Sequence, residues 1–192
     1  MDDVLRGGDG NDRIIAGFGK NQFGRDRLYG EGGNDVMKAG AGKDYLDGGA
    51  GRDRLFGGKN DDELIGGDGK DLLNGGKGDD VLNGGAGRDR IKPGKGRDTI
   101  VYSALNEGID TVIGFNANQD LIDLSDIFSA SEYAADNSFA QFVNYVQLEQ
   151  IGRATHVKVD ADGSGIGTDL TTLAKLKGVQ IDVLSSRNFI FE

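Results

Sequence analysis

Gly48-Gly49-Ala50-Gly51-Arg52-Asp53-Arg54-Leu55-Phe56 packs four small residues, one carboxylate and one aliphatic side chain into nine positions, and the chain keeps repeating that arrangement. Gly66 to Asn74, Gly75 to Asn83 and Gly84 to Lys92 follow it in the same register. Aspartate recurs every ninth residue at Asp26, Asp35, Asp44, Asp53, Asp62, Asp71, Asp80, Asp89 and Asp98. Two positions after each comes an apolar residue: Leu28, Met37, Leu46, Leu55, Leu64, Leu73, Leu82, Ile91 and Ile100. A unit this short cannot bury its aliphatic side chain alone, so neighbouring units must stack. A disordered Gly/Asp linker would have no reason to hold an aliphatic residue in phase.

The unit matches G-G-x-G-x-D-x-U-x, and residues 1–101 resemble the calcium-binding β-roll of RTX proteins. The resemblance implies an all-β fold, a parallel β-roll (RTX solenoid) followed by a small β-rich C-terminal cap, with Ca2+ as the bound ion. Calcium takes roughly six to eight oxygen ligands from carboxylates and backbone carbonyls, and a glycine-rich turn closed by aspartate offers both. The candidate ligating aspartates are Asp12, Asp26, Asp35, Asp44, Asp53, Asp62, Asp71, Asp80, Asp89 and Asp98. The turn glycines expected to aim carbonyls at the ions are Gly30, Gly32, Gly40, Gly42, Gly48, Gly49, Gly51, Gly57, Gly58, Gly66, Gly67, Gly69, Gly75, Gly76, Gly78, Gly84, Gly85 and Gly87.

The D-x-U-x segment leaves few residues for a strand, so one turn of the coil should consume two repeats. Aspartates two repeats apart then become neighbours across strands about 4.8 Å apart. Asp26, Asp44, Asp62, Asp80 and Asp98 would line one edge and Asp35, Asp53, Asp71 and Asp89 the other. Seven ions would fill the uninterrupted array, with Asp12 and Asp35 offering one more. Glu31 and Asn60 stand where the pattern has glycine, Pro93 opens the last unit, and five extra residues between Asp12 and Asp26 should bulge out as a loop.

Of the 34 glycines, 27 fall in residues 1–101 and 7 afterwards, which places a composition boundary near Tyr102. We therefore expect a β-roll over 1–101 and a C-terminal capping and type I secretion target region over 102–192. The absence of cysteine excludes disulfides and thiolate ligands. No apolar run approaches the roughly 20 residues of a spanning helix, and Met1-Asp2-Asp3-Val4-Leu5 lacks the charged-then-apolar order of a Sec signal. Asp3 and Leu5 stand in phase with Asp12 and Ile14, so the chain is expected to open within a repeat and to be the C-terminal piece of a larger protein.

After Val101 the period stops. Strands are expected at 111–115 and 121–124, a short helix around 131–140 and a hairpin over 146–159. Phe115, Ile122, Leu124, Phe128, Phe139, Phe142, Tyr145, Leu148, Phe189 and Phe191 are the candidate cap core. The cap should cover the unpaired strand edge that an open coil leaves. Asp110-Thr111-Val112-Ile113-Gly114-Phe115-Asn116, Asp120-Leu121-Ile122-Asp123-Leu124-Ser125 and the closing Asn188-Phe189-Ile190-Phe191 resemble the C-terminal target domain of type I secreted proteins. That resemblance implies a type I secretion transporter as partner, an extracellular or bacterial cell-surface location, and an export signal around Asn188, Phe189, Ile190 and Phe191. Asp110 could still offer oxygens to a last ion. Asp160-Ala161-Asp162-Gly163-Ser164-Gly165 resembles the start of an EF-hand loop, although the twelfth position is Thr171 rather than glutamate; Asp160 and Asp162 are its candidate ligands.

The net charge of −10 is uneven: residues 1–101 carry 17 basic and 19 acidic residues, the remainder 5 and 13. Seven divalent ions would turn the repeat region from −2 to about +12. The excess is one-sided, because Lys38, Arg52, Arg54, Lys70, Arg88, Arg90 and Lys92 share the repeats of Asp35, Asp53, Asp71 and Asp89, where only Glu31 and Asp68 oppose them besides the metal aspartates. Such a face could bind an acidic polysaccharide by salt-dependent attraction. Nucleic acid is not expected, since interleaved aromatics are missing. Nor is catalysis: His156 is the only histidine, and neither H-E-x-x-H nor a nucleophile elbow occurs.

Overall fold

The computed structural model describes residues 2–17, 24–128, 146–160 and 170–191. In the repeats the strands are β1 (Val4–Asp9), β2 (Arg13–Ile15), β3 (Arg27–Gly33), β4 (Val36–Ala41), β5 (Tyr45–Asp47) and β6 (Ala50–Gly51). They continue as β7 (Arg54–Lys59), β8 (Glu63–Gly69), β9 (Leu72–Lys77), β10 (Val81–Gly87), β11 (Arg90–Lys95) and β12 (Thr99–Val101). Downstream come β13 (Asp110–Ile113), β14 (Leu121–Asp123), the single helical turn α1 (Ser125–Phe128), β15 (Val146–Ile151), β16 (Ala154–Asp160), β17 (Leu170–Lys177) and β18 (Phe189–Ile190).

The strands divide between two sheets. One runs β1-β3-β5-β8-β10-β12-β14-β18 with β6 beside β3 and β8, and the other runs β2-β4-β7-β9-β11-β13-β17-β16-β15. Inside the repeats each residue faces its counterpart two nonapeptides on, with Leu46 opposite Leu64, Leu64 opposite Leu82, Leu55 opposite Leu73 and Leu73 opposite Ile91. One turn of the solenoid therefore consumes two nonapeptides. Leu5 faces Leu28 and Ile14 faces Met37, each five positions further on than the repeat demands, so the additional residues are absorbed between β2 and β3 while the apolar column stays in phase. Part of the inserted segment, 18–23, lies outside the described residues.

Every aliphatic residue of the nine-residue beat is fully enclosed: Leu28, Met37, Leu46, Leu55, Leu64, Leu73, Leu82, Ile91 and Ile100 are 0% exposed. Each such burial contributes about 1.5–3 kcal/mol relative to exposure, and together they make the thin core between the sheets. Glu31 and Asn60 adopt the left-handed backbone of the glycines they replace, with φ of 75° and 72°. Asparagine tolerates this conformation better than most residues. Glu31 is a longer side chain, and it points outward to pair with Arg6 at 2.9 Å.

Both sheets run on past the composition boundary. Val112 stacks on Ile91 and Ile122 on Ile100, three and four positions beyond the repeat's own register, and a last rung follows in which Leu176 covers Val112 and Phe189 covers Ile122. The antiparallel meander β15-β16-β17 extends the second sheet and contains the hairpin expected at 146–159. Phe115, Ile122, Leu124, Phe128 and Phe189 are buried, with Leu148 and Phe191 packed against them. Phe139, Phe142, Tyr145 and the helix expected at 131–140 lie outside the described residues. His156 stands in β16 between Glu149 and Lys175, an ordinary strand position. Among the described residues no helix is long and apolar enough to cross a membrane.

Candidate metal centres along the roll edges

Each aspartate sits where a turn ends and a strand begins, so the solenoid stacks these residues into two edge columns. On one edge the Asp26 N–H donates to Asp44 Oδ1 at 2.8 Å, Asp44 to Asp62 at 2.9 Å, Asp62 to Asp80 at 2.9 Å and Asp80 to Asp98 at 3.0 Å. On the other, Asp12 donates to Asp35, Asp35 to Asp53 and Asp53 to Asp71, each at 2.7 Å, and Asp71 to Asp89 at 2.8 Å. The structure thus brings together every pair that the two-repeat spacing singles out. These bonds satisfy only Oδ1.

Oδ2 is left over. Among the described residues the buried Oδ2 atoms of Asp12, Asp35, Asp44, Asp53, Asp62, Asp71, Asp80, Asp89 and Asp98 accept no hydrogen bond. A buried unpartnered carboxylate oxygen is costly, and here the cost recurs at every rung. The surroundings show what would relieve it. At Gly66 the place a β-carbon would take lies 2.7 Å from Asp71 Oδ2 and also against the Gly84 carbonyl oxygen, so only glycine leaves that space open. Gly48, Gly57 and Gly75 repeat the arrangement with Asp53, Asp62 and Asp80 and the carbonyls of Gly66, Gly75 and Pro93. Among the described residues no three carboxylate, histidine or cysteine side chains converge as a metal group. The groups beside the Oδ2 atoms are backbone carbonyls, which suits a hard cation with many oxygen ligands. The residues present fit calcium.

One of the expected turn glycines is misplaced by a residue. Gly32 has an ordinary backbone and open surroundings, whereas its neighbour Gly33 has φ 127° and lies against the Gly10 carbonyl. The tract Gly30-Glu31-Gly32-Gly33 offers two candidates for the fourth position, and counting from Gly30 to Asp35 selects Gly33.

Burial raises the carboxyls well above the ordinary range near 3.8. Asp53 and Asp98 are pushed up to about 6, Asp80 to about 7 and Asp62 to about 8; desolvation leads, backbone N–H donors oppose it, and neighbouring aspartates add repulsion. Asp44, Asp71, Asp89, Asp110 and Asp120 shift in the same direction for the same leading reason.

Both columns continue beyond the repeats. The Asp89 N–H donates to Asp110 at 2.8 Å and the Asp98 N–H to Asp120 at 3.2 Å. Asp120 carries no signal in the nine-residue count because the last rung is four residues longer. Its Oδ2 accepts the Asn116 N–H at 2.7 Å, so that column ends on a satisfied carboxylate. Asp160 is fully buried at the end of β16, while Asp162 and the rest of the EF-hand-like loop lie outside the described residues. Asn188 is buried and donates to the carbonyls of Ala117 and Asp120 at 2.8 and 3.1 Å, and Phe189 and Ile190 form β18, so the tail is part of the last rung.

Comparison with known proteins agrees with this geometry. The family model described as the RTX calcium-binding nonapeptide repeat (4 copies) matches residues 2–23, 23–55, 39–73, 47–81 and 65–100. The AlgE6R3 subunit of the Azotobacter vinelandii mannuronan C5-epimerase is 31% identical over 73% of this chain and 78% of its own, with a TM-score of 0.53. The extracellular lipase LipA from Serratia marcescens is 18% identical with a TM-score of 0.38; the match covers 97% of this chain and 39% of the lipase. No curated protein matches the chain.

Proposed function

This chain belongs to the RTX calcium-binding nonapeptide repeat family, and from that premise we propose that it is the calcium-folded C-terminal module of a type I secreted protein, exported unfolded and folded outside the cell. The observation that carries the reading is the row of buried, unpartnered Oδ2 atoms along both edges. When bound, calcium supplies positive charge to these oxygens and cross-links successive rungs. The chain's own part is to hold each Oδ1 on a backbone N–H, leave Oδ2 free, and keep a glycine beside it. In low calcium the columns repel themselves, and the glycine-rich chain has much backbone entropy to lose on folding. This gives a module that binds and folds and has no need of catalytic groups.

The tail supports the export part of this reading. Asn188 is buried and Phe189 is a strand residue in the folded state, so a transporter could engage them only on an open chain. A passenger fused ahead of residues 1–192 should be secreted by a type I system, and removal of 183–192 should cut its extracellular yield at least tenfold (about tenfold is ~1.4 kcal/mol of lost recognition). Unchanged secretion of the truncated fusion would sink the export role. The whole chain is the right cargo, because the sheets continue unbroken across residue 101.

A second reading has its own observation. Lys38, Arg52, Arg54, Lys70, Arg88, Arg90 and Lys92 are all exposed, and Arg52, Lys70 and Arg88 rise in one column beside Asp53, Asp71 and Asp89. The ion pairs among the described residues, Arg6–Glu31, Lys43–Asp61 and Lys158–Glu149, involve none of them. With the edge carboxylates neutralised, this face becomes a cationic stripe suited to an acidic polysaccharide, the class to which the mannuronan of the similar epimerase belongs. Retention on immobilised alginate should require calcium, fall steeply between 50 and 200 mM salt as charge-driven binding does (roughly the range in which polyanion contacts weaken), and be lost in the triple variant Arg52→Gln, Lys70→Gln, Arg88→Gln. Salt-insensitive retention, or full retention of the variant, would remove this reading.

A further inference from the structure

The two sheets of the roll carry opposite charge. Strands β1, β3, β5, β6, β8, β10, β12 and β14 hold two basic residues against six acidic ones. Strands β2, β4, β7, β9, β11, β13 and β17 of the other sheet hold ten basic residues and one carboxylate, the buried column aspartate Asp110. The register sorts these charges onto outward rows, since alternate residues of a strand face opposite sides. In the basic sheet Arg13, Arg54, Arg90 and Lys175 stand on every second rung of one row, with Val36, Leu72 and Thr111 between them. Lys59, Lys77 and Lys95 stack at the strand ends of that sheet. In the acidic sheet Glu63 stands between Tyr45 and Val81, Asp47 beside Ile65, and Asp68 between Ala50 and Ala86.

Neither face spends these charges internally. The ion pairs among the described residues take up none of the ten bases, nor Glu63, Asp47 or Asp68. Glu63, Asp68, Arg54, Arg90, Lys77 and Lys95 are exposed. Apolar side chains lie open among them: Val81 is 39% exposed beside Glu63, and Leu72 is half-buried between Arg54 and Arg90. Both faces repeat at the spacing between strands, about 4.8 Å, so their charges are laid out on one pitch. Seven rungs of strands about 20 Å long give each face roughly 650 Å². A face-on-face contact would therefore bury roughly 1,300 Å² in total, within the roughly 1,200–2,000 Å² of specific interfaces.

We infer that the partner of the basic face is the acidic face of a second copy of this chain, so that folded rolls stack sheet on sheet. The inference rests on the calcium-folded reading above, because the faces exist only in the folded roll, and it goes beyond that reading in giving each face a partner. Exposed ion pairs are individually weak; here they recur along the rungs and enclose apolar area, Tyr45, Ile65 and Val81 on one side, Phe56 and Leu72 on the other. A two-fold dimer would set like charge against like and is disfavoured. The contact joins two different surfaces, so each docked copy leaves a fresh face open and the assembly does not close at two.

Sedimentation velocity of the full chain in calcium and low salt should show a mean size that keeps rising with protein concentration beyond the dimer. The monomer should return in EGTA, where the roll opens, and in about 1 M salt, where charges are screened beyond roughly 3 Å. Two double variants carry the decision. Glu63→Lys with Asp47→Lys reverses the centre of the acidic face, and Arg54→Glu with Arg90→Glu reverses that of the basic face. Each alone sets like charges together and should self-associate at least about tenfold more weakly. Mixed, they offer an unaltered basic face to an unaltered acidic one, and association should return, a rescue that misfolding cannot produce. Circular dichroism in calcium checks that each variant folds; should a double variant fail, the single changes Glu63→Lys and Arg54→Glu decide in the same way. A folded chain that stays monomeric, stops at a dimer or associates equally in EGTA or high salt overturns the inference, as do folded variants that stay apart on mixing. If the folded monomer instead takes up soluble alginate, the basic face belongs to the polysaccharide. A chain without strand signal in calcium fails the calcium-folded reading itself.

Discussion

Adding EGTA to the calcium-loaded protein is expected to abolish its strand signal in far-ultraviolet circular dichroism and to expand the chain toward the unfolded limit. For 192 residues that limit is a radius of gyration of about 47 Å, against about 16 Å for a compact chain of the same length; the elongated solenoid will start somewhat above the lower figure. The reason is the imbalance in what holds the roll. The core is one aliphatic residue per repeat, Leu55, Leu64 and Leu73 among them, while each repeat from that of Asp35 to that of Asp98 also buries a carboxylate with one oxygen unsatisfied. A site at 100 times its dissociation constant adds about 2.7 kcal/mol. Seven such sites together outweigh the roughly 5–15 kcal/mol by which ordinary domains are stable, so binding and folding should be one transition. Its midpoint should fall in the range of about 10⁻⁴–10⁻³ M free calcium typical of extracellular modules. Magnesium should not substitute, since it demands near-octahedral geometry and keeps its water. A strand signal that persists in EGTA at neutral pH would contradict this account.

The repeat is legible because one period carries two independent signals, a carboxylate at one phase and an aliphatic at another. Leu46 and Asp53 can each be placed on a rung from sequence, and the two-repeat register follows from the shortness of the strand segment. Legibility fails wherever the count changes. Asp110 and Asp120 sit on rungs lengthened by three and four residues, so the period lands short of both, at Glu107 and Asn116. The continuation of both sheets through β13 and β14 is hidden by the fall in glycine content, which reads as a boundary although the strands stack without a break. Least legible is the final rung. Leu176 and Phe189 arrive from far downstream of their partners Val112 and Ile122, and nothing local encodes such pairings. Tyr102 falls nine residues after Pro93, so the count alone puts it in a glycine's place, and the pairing of Val101 with Asn83 agrees.

Protons should act as a weak substitute for calcium, with the opposite dependence on pH from the loaded protein. In the metal-free fold Asp53, Asp98, Asp80 and Asp62 have carboxyls at about 6, 6, 7 and 8, all above the value near 3.8 of an unfolded chain. The folded state therefore binds more protons than the unfolded state across this window, and stability must fall as pH rises. The contribution is complete below the unfolded value and is lost as pH passes through the folded values, between about 6 and 8. In EGTA, strand content should accordingly rise on acidification from pH 8.5 to 5.5, a range kept above the isoelectric point near 4.6 where the chain carries least charge and would associate. Calcium binding runs the other way. It needs the ionised carboxylate, so ions entering a metal-free roll that acidification has folded displace protons from Asp62 and Asp80, and affinity weakens as pH falls. A pH-stat should record proton release on calcium addition at pH 5.5 and almost none at pH 7, where the metal-free chain is open and its carboxyls are already ionised. If strand content in EGTA instead increases with pH, the edge carboxylates are not the groups that hold the metal-free roll open.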